Sequence, residues 1–208
     1  GHDERLSSLV YSPEGSRLAT ASWDCTIILW DSDGQLVHEW VAHTGSVPSL
    51  AFSPDSRHLA SGGRDRKIAV WDTGQCLVFS RMHTRRVTVV AFSSDGTRML
   101  STFWGDTPKI LDTYSGTMIL SLEGHTGGVG AACFSPCGKH VASASSDEKV
   151  RLWRTDDGSC MGIFSEHKDA VWLLAFSPEG KTLSSGANDG SVVIRHMRYI
   201  IPVEDTSV

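Results

Sequence analysis

The chain has 208 residues, of which 40% are hydrophobic and 21% charged, and its formal net charge is −5. This length corresponds to one or two domains, and the composition fits a packed globular protein and excludes a disordered chain. The excess of acids disfavours nucleic acid or an anionic membrane as a partner. The longest apolar run, residues 170–176, is too short for a transmembrane helix. No charged-then-apolar leader follows Gly1, so we expect no signal peptide.

The cysteines and asparagine predict the compartment. There are five cysteines, an odd number, and their spacing is not that of a disulfide framework. The only asparagine, Asn188, is followed by Asp189 and Gly190, so the chain has no acceptor for N-glycosylation. Both features are typical of the cytoplasm or nucleus, and we expect an intracellular protein.

The chain contains an internal repeat of about 42 residues. Histidines recur at intervals of 40 to 42 residues: His2, His43, His83, His125 and His167. Nine residues after each histidine comes an aromatic residue followed by serine: Tyr11-Ser12, Phe52-Ser53, Phe92-Ser93, Phe134-Ser135 and Phe176-Ser177. The register divides the chain into units at about 1–41, 42–81, 82–123, 124–165 and 166–208.

Each unit predicts four short strands joined by turns. In the first unit a strand at residues 6–11 leads into a Ser-Pro-x-Gly turn, in which proline presets φ and glycine tolerates positive φ. A second strand carries Thr20, a tight turn carries Asp24, and a third strand at 26–30 is rich in β-branched residues. The order recurs in later units, with first strands at 47–52, 87–92 and 171–176 and a final strand at 198–203. The predicted fold is all-β, a β-propeller of four-stranded antiparallel blades.

Two dipeptides mark the unit boundaries. Gly-His opens units at Gly1-His2 and Gly124-His125, and Trp-Asp lies near unit ends at Trp30-Asp31 and Trp71-Asp72. These pairs resemble the WD-repeat β-propeller family, and the resemblance covers essentially the whole chain. It implies blades arranged around a ring, usually of seven, so that five units would form part of a larger propeller.

The resemblance also implies a hydrogen-bonded tetrad of histidine, serine or threonine, aspartate and tryptophan within a blade. Three units carry all four residue types: His2, Thr20, Asp24 and Trp30; His43, Ser61, Asp65 and Trp71; and His125, Ser143, Asp147 and Trp153. The third unit has Leu111 for the tryptophan and Gly105 for the aspartate, and the fifth has Arg195 for the tryptophan. We expect both to be locally weaker, because they lack indole packing and a hydrogen bond worth about 0.5–1.5 kcal/mol.

The histidine, serine and aspartate of a tetrad resemble the triad of a hydrolase. An enzyme needs one such site, whereas the trio recurs in several units, and the sequence has no nucleophile elbow, phosphate-binding loop or zinc-protease motif. Cys133, Cys137 and His140 suggest zinc, but a closed zinc site usually has two ligand pairs and no second pair is present. We therefore expect no catalytic residue, cofactor or metal.

The candidate binding residues are those that the repeat does not require. In the family, the loop before the first strand and the turn between the second and third strands lie on one rim of the ring, here called the top face. Tryptophan and arginine concentrate at these positions: Trp23, Arg64, Trp104, Trp172, Arg5, Arg66, Arg85 and Arg86. Arginine is suited to carboxylate or phosphate and tryptophan to apolar anchoring. Alternatively, the arginines pair with Asp3, Glu4, Asp65 or Asp95 as ordinary surface.

The first functional hypothesis is a non-catalytic scaffold that binds a protein or peptide through the top face of the first three blades. The preferred ligand carries acidic or phosphorylated residues beside an apolar anchor. The alternative is a structural or sensor array within a larger protein whose activity lies outside this segment. We expect no membrane contact, and the oligomeric state stays open.

Overall fold

The computed structural model describes residues 1–72, 75–80, 84–103, 105 and 107–199. Its strands form five antiparallel sheets that follow one another along the chain. Sheet one contains β1 (Leu6–Tyr11), β2 (Arg17–Ser22), β3 (Thr26–Asp31) and β4 (Leu36–Val41). Sheet two contains β5 (Ser49–Phe52), β6 (Leu59–Gly62), β7 (Ile68–Asp72) and β8 (Gln75–Ser80), and sheet three contains β9 (Val87–Phe92), β10 (Arg98–Phe103), β11 (Lys109–Asp112) and β12 (Met118–Ser121). Sheet four contains β13 (Val129–Phe134), β14 (His140–Ser145), β15 (Val150–Arg154) and β16 (Cys160–Phe164), and sheet five contains β17 (Val171–Phe176), β18 (Thr182–Ala187) and β19 (Val192–His196).

Each sheet is a meander in which every strand pairs with the next one along the chain. The turn that joins the first two strands closes on a residue with positive φ, which is glycine in four sheets; three of these turns have the full Ser-Pro-x-Gly sequence, and sheet three has serine in place of the proline. In sheet two Ser56 takes this place and keeps the same conformation, with φ of 61°. The predicted all-β fold of antiparallel blades is confirmed, with four strands in sheets one to four.

The strand predicted at residues 198–203 is wrong at its start. Residues Met197–Tyr199 form a single 3₁₀ turn, and residues 200–203 lie outside the described part of the chain. In sheets one, three and four the chain turns into the fourth strand at a glycine with φ between 66° and 75°. After β19 the sequence has no glycine, and Met197 is instead buried in the core, so the corresponding turn does not form.

The hydrophobic core lies between neighbouring sheets. Successive sheets pack face to face in chain order, and each of the four junctions has its own cluster of mainly aliphatic side chains, joined by Trp71 in one and Trp153 in another. Hydrogen bonds add to this packing, because the N–H groups of Leu50 and Val90 donate to Ser8 and Ser49 of the preceding sheet, over 3.2 and 3.1 Å. The sheets therefore hold one another in a fixed order, with the loops of their ends side by side.

The two end sheets each leave an apolar face open. In sheet four Val150 and Leu152 are fully buried against sheet five. Their counterparts 42 residues later, Val192 and Ile194, are 71% and 63% exposed. Leu9 of sheet one is likewise exposed, whereas Leu50, its counterpart in sheet two, is buried.

Candidate functional site

Each tetrad forms a chain of hydrogen bonds from the tryptophan to a top-face loop. In sheet two Trp71 Nε1–H donates to Ser61 Oγ over 2.8 Å. Ser61 donates to His43 Nε2 over 2.7 Å, and His43 Nδ1–H donates to Asp65 over 2.9 Å. The other oxygen of Asp65 accepts the backbone N–H of Thr44 over 3.1 Å. One neutral tautomer, with the proton on Nδ1, satisfies every bond in the chain.

Sheets one and four contain the same chain of bonds. The distances from tryptophan to hydroxyl, hydroxyl to histidine and histidine to aspartate are 2.8, 2.7 and 2.9 Å in sheet four (Trp153, Ser143, His125, Asp147). They are 2.9, 2.8 and 3.0 Å in sheet one (Trp30, Thr20, His2, Asp24). The three complete tetrads are therefore three copies of one local structure.

Burial sets the charge state of the tetrads. It lowers the pKa of His43 and His125, because withdrawing an imidazolium from water outweighs the opposing effect of the nearby aspartate. Burial alone would raise the pKa of Asp65 and Asp147, but the neighbouring histidine and backbone N–H groups hold both below the usual range. At neutral pH these tetrads accordingly contain a neutral imidazole beside a carboxylate.

The tetrad serines are poorly placed for catalysis. Ser61 and Ser143 are both 0% exposed, and each Oγ already accepts an indole N–H, so no substrate reaches them. The aspartate instead joins two loops of its sheet, since Asp65 lies in the turn after β6 and binds the N–H of Thr44 in the loop before β5. This arrangement fixes the position of Arg64, the residue immediately before Asp65.

The two incomplete units replace the tryptophan differently. In sheet three Leu111 is fully buried and packs in the core between sheets two and three. In sheet five Arg195 Nη1 donates to Ser185 Oγ over 2.8 Å, and its Nε and Nη2 donate to the two carboxylate oxygens of Glu166 over 3.0 and 2.8 Å. The hydrogen bond that we expected sheet five to lose is therefore made by another side chain.

Three of the predicted top-face residues meet at the junction of sheets one and two. Trp23 is 38% exposed. The guanidinium carbons of Arg5 and Arg64 lie 4.6 and 4.3 Å from the centroid of this ring. Backbone bonds hold the three segments, because Trp23 N–H donates to Arg5 O and Arg64 N–H donates to Ser46 O. We call Arg5, Trp23 and Arg64 the Trp23–Arg cluster.

The other predicted residues have different surroundings where the structure describes them. Arg66, Arg85 and Arg86 are exposed, and Arg66 has a positive φ of 71°. The Trp172 ring packs on the backbone of Gly130 in the neighbouring sheet, where a β-carbon would collide with it. Trp104 lies outside the described residues.

A sequence model of the family described as "WD domain, G-beta repeat" matches residues 1–31, 34–72, 116–154 and 158–195, which together make up more than half of the chain. The chain belongs to this WD-repeat family. The matched ranges leave out residues 73–115, the part of the chain that contains Leu111. A curated relative, the guanine nucleotide-binding protein subunit beta-2 of Caenorhabditis elegans, is 53% identical over 30 residues. That match spans 14% of this chain and only 8% of the relative.

A β-bulge recurs in the WD repeats at the fifth residue after the histidine. The pairing of the first and second strands skips Ser7, Thr88, Gly130 and Trp172. A bulge re-aims the skipped side chain. Ser7 Oγ uses this to donate to Val47 O of sheet two over 2.6 Å. The skipped residues therefore contact the neighbouring sheet. The alternation of residues along the strands does not predict these contacts.

Two further residues escaped the sequence analysis. Glu166 occupies the position before the histidine, where glycine stands in two other units, and an acid there together with Arg195 is the signal that could have identified the pair. Ser46 is buried beside the Trp23–Arg cluster, and its hydroxyl has no hydrogen-bond partner among the described residues. No pattern in the repeat distinguishes this serine.

The described residues contain neither a group of side chains suited to a metal ion nor a membrane-spanning helix. Within them, no group of three or more histidine, cysteine or acidic side chains could hold a metal ion. None of the five cysteines forms a disulfide within the described residues, and burial in the junction of sheets four and five raises the pKa of Cys133 to about 11. Across the same residues, the structure contains no helix with the length and apolar character needed to span a bilayer.

Proposed function

We propose that this WD-repeat chain is a non-catalytic scaffold whose Trp23–Arg cluster binds an acidic or phosphorylated segment of a partner protein. The observation that carries the proposal is the approach of two guanidinium groups to one exposed indole ring. Arginine and tryptophan are the residues most enriched among those that dominate binding energy at interfaces. The indole offers an apolar anchor, and the guanidinium groups offer paired donors for carboxylate or phosphate.

The arginines are available for such a ligand. Neither Arg5 nor Arg64 forms an ion pair with any described carboxylate, although Asp3 and Glu4 are close in sequence. Arg66, one residue beyond Asp65, is equally unpaired within the described chain and adds a third positive charge to the same rim. These observations favour a binding role over the alternative of a neutralised surface. The net charge of −5 is therefore unevenly distributed, with a local basic site on the top face.

The proposal extends to Arg85, Arg86 and Trp104 as outer contacts. A longer segment would cross sheets two and three after anchoring at the cluster. Ser61 and Ser143 are buried and bonded to tryptophan, which supports a structural role for the tetrads.

The decisive experiment measures binding to a peptide library in which phosphoserine, aspartate or serine precedes leucine or phenylalanine. We expect Trp23→Ala and Arg64→Ala each to weaken binding of the phosphorylated or acidic peptides by about tenfold, which corresponds to about 1.4 kcal/mol. Arg57→Ala is the matched control, since Arg57 is an exposed arginine of sheet two in the turn at the opposite end of the sheet. Unchanged affinity in Trp23→Ala and Arg64→Ala, or an equal loss in Arg57→Ala, would refute this choice of surface.

A second candidate function is a structural or sensor array within a larger protein, with the activity elsewhere. The observation that favours it is the open apolar face on each end sheet, at positions that are buried wherever two sheets meet. Expressing the chain with its flanking coding sequence and comparing peptide binding by both forms distinguishes the two functions. Equal binding by both forms supports the first, and binding only by the longer form supports the second.

A further inference from the structure

A cavity of about 510 Å³ lies between sheets four and five, at the end opposite to the top face. Its walls come from the turns after β13 and β17 and from β16, and include Ser135, His140, Met161, Phe176 and Glu179. Pockets for small organic ligands usually measure about 300–1,000 Å³, so this one is large enough for such a ligand. The cavity shares no residue with the Trp23–Arg cluster.

A second cavity, between sheets one and two, is much smaller and shares two repeat positions with the larger one. Arg17 and Phe52 line it at the positions that His140 and Phe176 occupy in the larger cavity, but its volume is only about 10 Å³. Trp40 and Trp71 also line this small space. Their repeat counterparts at the junction of sheets four and five are Phe164 and Arg195.

The Arg195 side chain is fixed by contacts of its own outside the cavity. Its guanidinium is held by Glu166 over 2.8 Å, and its Cζ lies 5.0 Å above the centroid of the Phe164 ring. Neither Arg195 nor Phe164 lines the cavity. The fifth unit thus keeps the tetrad hydrogen bond through Arg195, while other side chains form the walls of the cavity.

The cavity combines apolar walls with a charged rim. Met161 and Phe176 are half-buried and provide a thioether and an aromatic ring. The rim carries two cations, Lys139 and Arg154, and two acids, Asp156 and Glu179. Arg154 is already paired with Asp157 over 3.1 Å, and Asp156 lies 3.8 Å from Arg98. Glu179 makes no hydrogen bond or ion pair with any described residue, so its carboxylate is the rim charge best able to accept a new partner.

We propose that this cavity binds an amphipathic cation, in which an aromatic or aliphatic body packs on Met161 and Phe176 while an ammonium group pairs with Glu179. An aromatic wall favours such a ligand further, because cations are attracted to the face of a ring. The site is a second binding function on the rim opposite the Trp23–Arg cluster, and it does not depend on the function proposed above.

The test uses two probes of similar size and opposite charge, 2-phenylethylamine and phenylacetate, followed by chemical-shift changes of backbone amides in the intact chain. We expect the amine to shift the amides of Ser135 and Gly180 at millimolar concentration, and phenylacetate to leave them unchanged. Glu179→Gln should weaken binding of the amine by about fivefold, because it removes one partly exposed ion pair. Glu14→Gln is the matched control, because Glu14 occupies the same turn position in sheet one.

A filling variant, Met161→Trp, should abolish the shifts while the chain keeps its thermal unfolding temperature. If that variant does not fold, the comparison of Glu179→Gln with Glu14→Gln decides. Shifts by phenylacetate equal to those by the amine, no shift by either probe, or equal effects of the two glutamate variants would each overturn the proposal.

Discussion

Arg195 donates a hydrogen bond from Nη1 to Ser185 Oγ over 2.8 Å, the distance at which the indole of Trp153 donates to Ser143. The two donors are chemically unlike, but each presents an N–H to the same atom of the repeat. Arginine brings a charge into a nearly buried position, and Glu166 balances it through two hydrogen bonds. The side chain of Glu166 is itself half exposed, so only one of the two charges is withdrawn from water.

Replacing Arg195 by leucine should lower the free energy of unfolding by about 2–3 kcal/mol, because Ser185 and Glu166 both lose a charged donor. The double variant Arg195→Trp with Glu166→Gly copies the pattern of the fourth unit, which has Trp153 and Gly124. Its free energy of unfolding should stay within about 1 kcal/mol of the wild-type value if the stabilising feature is an N–H donor to Ser185 Oγ. Urea unfolding of the wild type, the leucine variant and the double variant measures these free energies. A leucine variant as stable as the wild type would show that the arginine contributes nothing to sheet five.

The repeat spacing predicted the strands well where each unit follows the pattern. The first strands of sheets one, three and five have the predicted bounds, Leu6–Tyr11, Val87–Phe92 and Val171–Phe176. The first strand of sheet two was predicted at 47–52 but begins at Ser49. Pro48 is the physical reason, since proline has no N–H to donate to the neighbouring strand.

The candidate site could be predicted less completely from the sequence. The spacing placed Arg5, Trp23 and Arg64 on one rim, because turn positions repeat with the strands. It could not show which of the long side chains meet across two sheets, since this depends on the packing of adjacent sheets and on side-chain rotamers. The same limit applies to the pair of Arg195 and Glu166, which are 29 residues apart in the chain.

The tetrad histidines should make stability depend on pH near neutrality. Burial lowers the pKa of His43 and His125 below the ordinary value of 6.5, so the unfolded chain takes up protons before the folded one. Stability is therefore complete above about pH 6.5 and falls as the pH drops from there toward the folded-state pKa values. Each histidine contributes at most about 1.4 kcal/mol per pH unit in this range.

Urea unfolding at pH 7.5 and 5.5 measures this dependence. His43→Gln should reduce the difference between the two pH values, whereas His38→Gln, at an exposed site on β4, should leave it unchanged. An identical difference in His43→Gln and the wild type would exclude His43 as its source. The aspartates act at lower pH, since the pKa of Asp65 and Asp147 is lowered and their contribution is lost as the pH falls below about 3.8.

Backbone strain at the turn after the tetrad aspartate gives a stabilising substitution. Glu148 has a positive φ of 66°, and its counterpart in sheet five is Gly190, with φ of 79°. Glu148→Gly should raise the free energy of unfolding by about 0.5 kcal/mol. Glycine adopts this left-handed conformation without strain, and this gain exceeds the loss that comes from the greater conformational freedom of glycine in the unfolded chain. The reciprocal change Gly190→Glu should lower it by a similar amount. Urea midpoints at constant slope measure both, and a loss of stability in Glu148→Gly would contradict this account.

The open face of sheet five can be tested with one substitution at two equivalent positions. Val150 and Val192 occupy the same place in consecutive repeats, but Val150 is 0% exposed and Val192 is 71% exposed. Val150→Lys should lower the free energy of unfolding by more than about 3 kcal/mol, because it buries a charge between two sheets. Val192→Lys should change it by no more than about 0.5 kcal/mol, since the side chain at this position is exposed. If a further blade covers this face in a longer form of the protein, Val192→Lys becomes as destabilising there as Val150→Lys. If Val192→Lys has the same small effect on the free energy of unfolding in this chain and in the longer form, the expectation of a larger propeller is refuted.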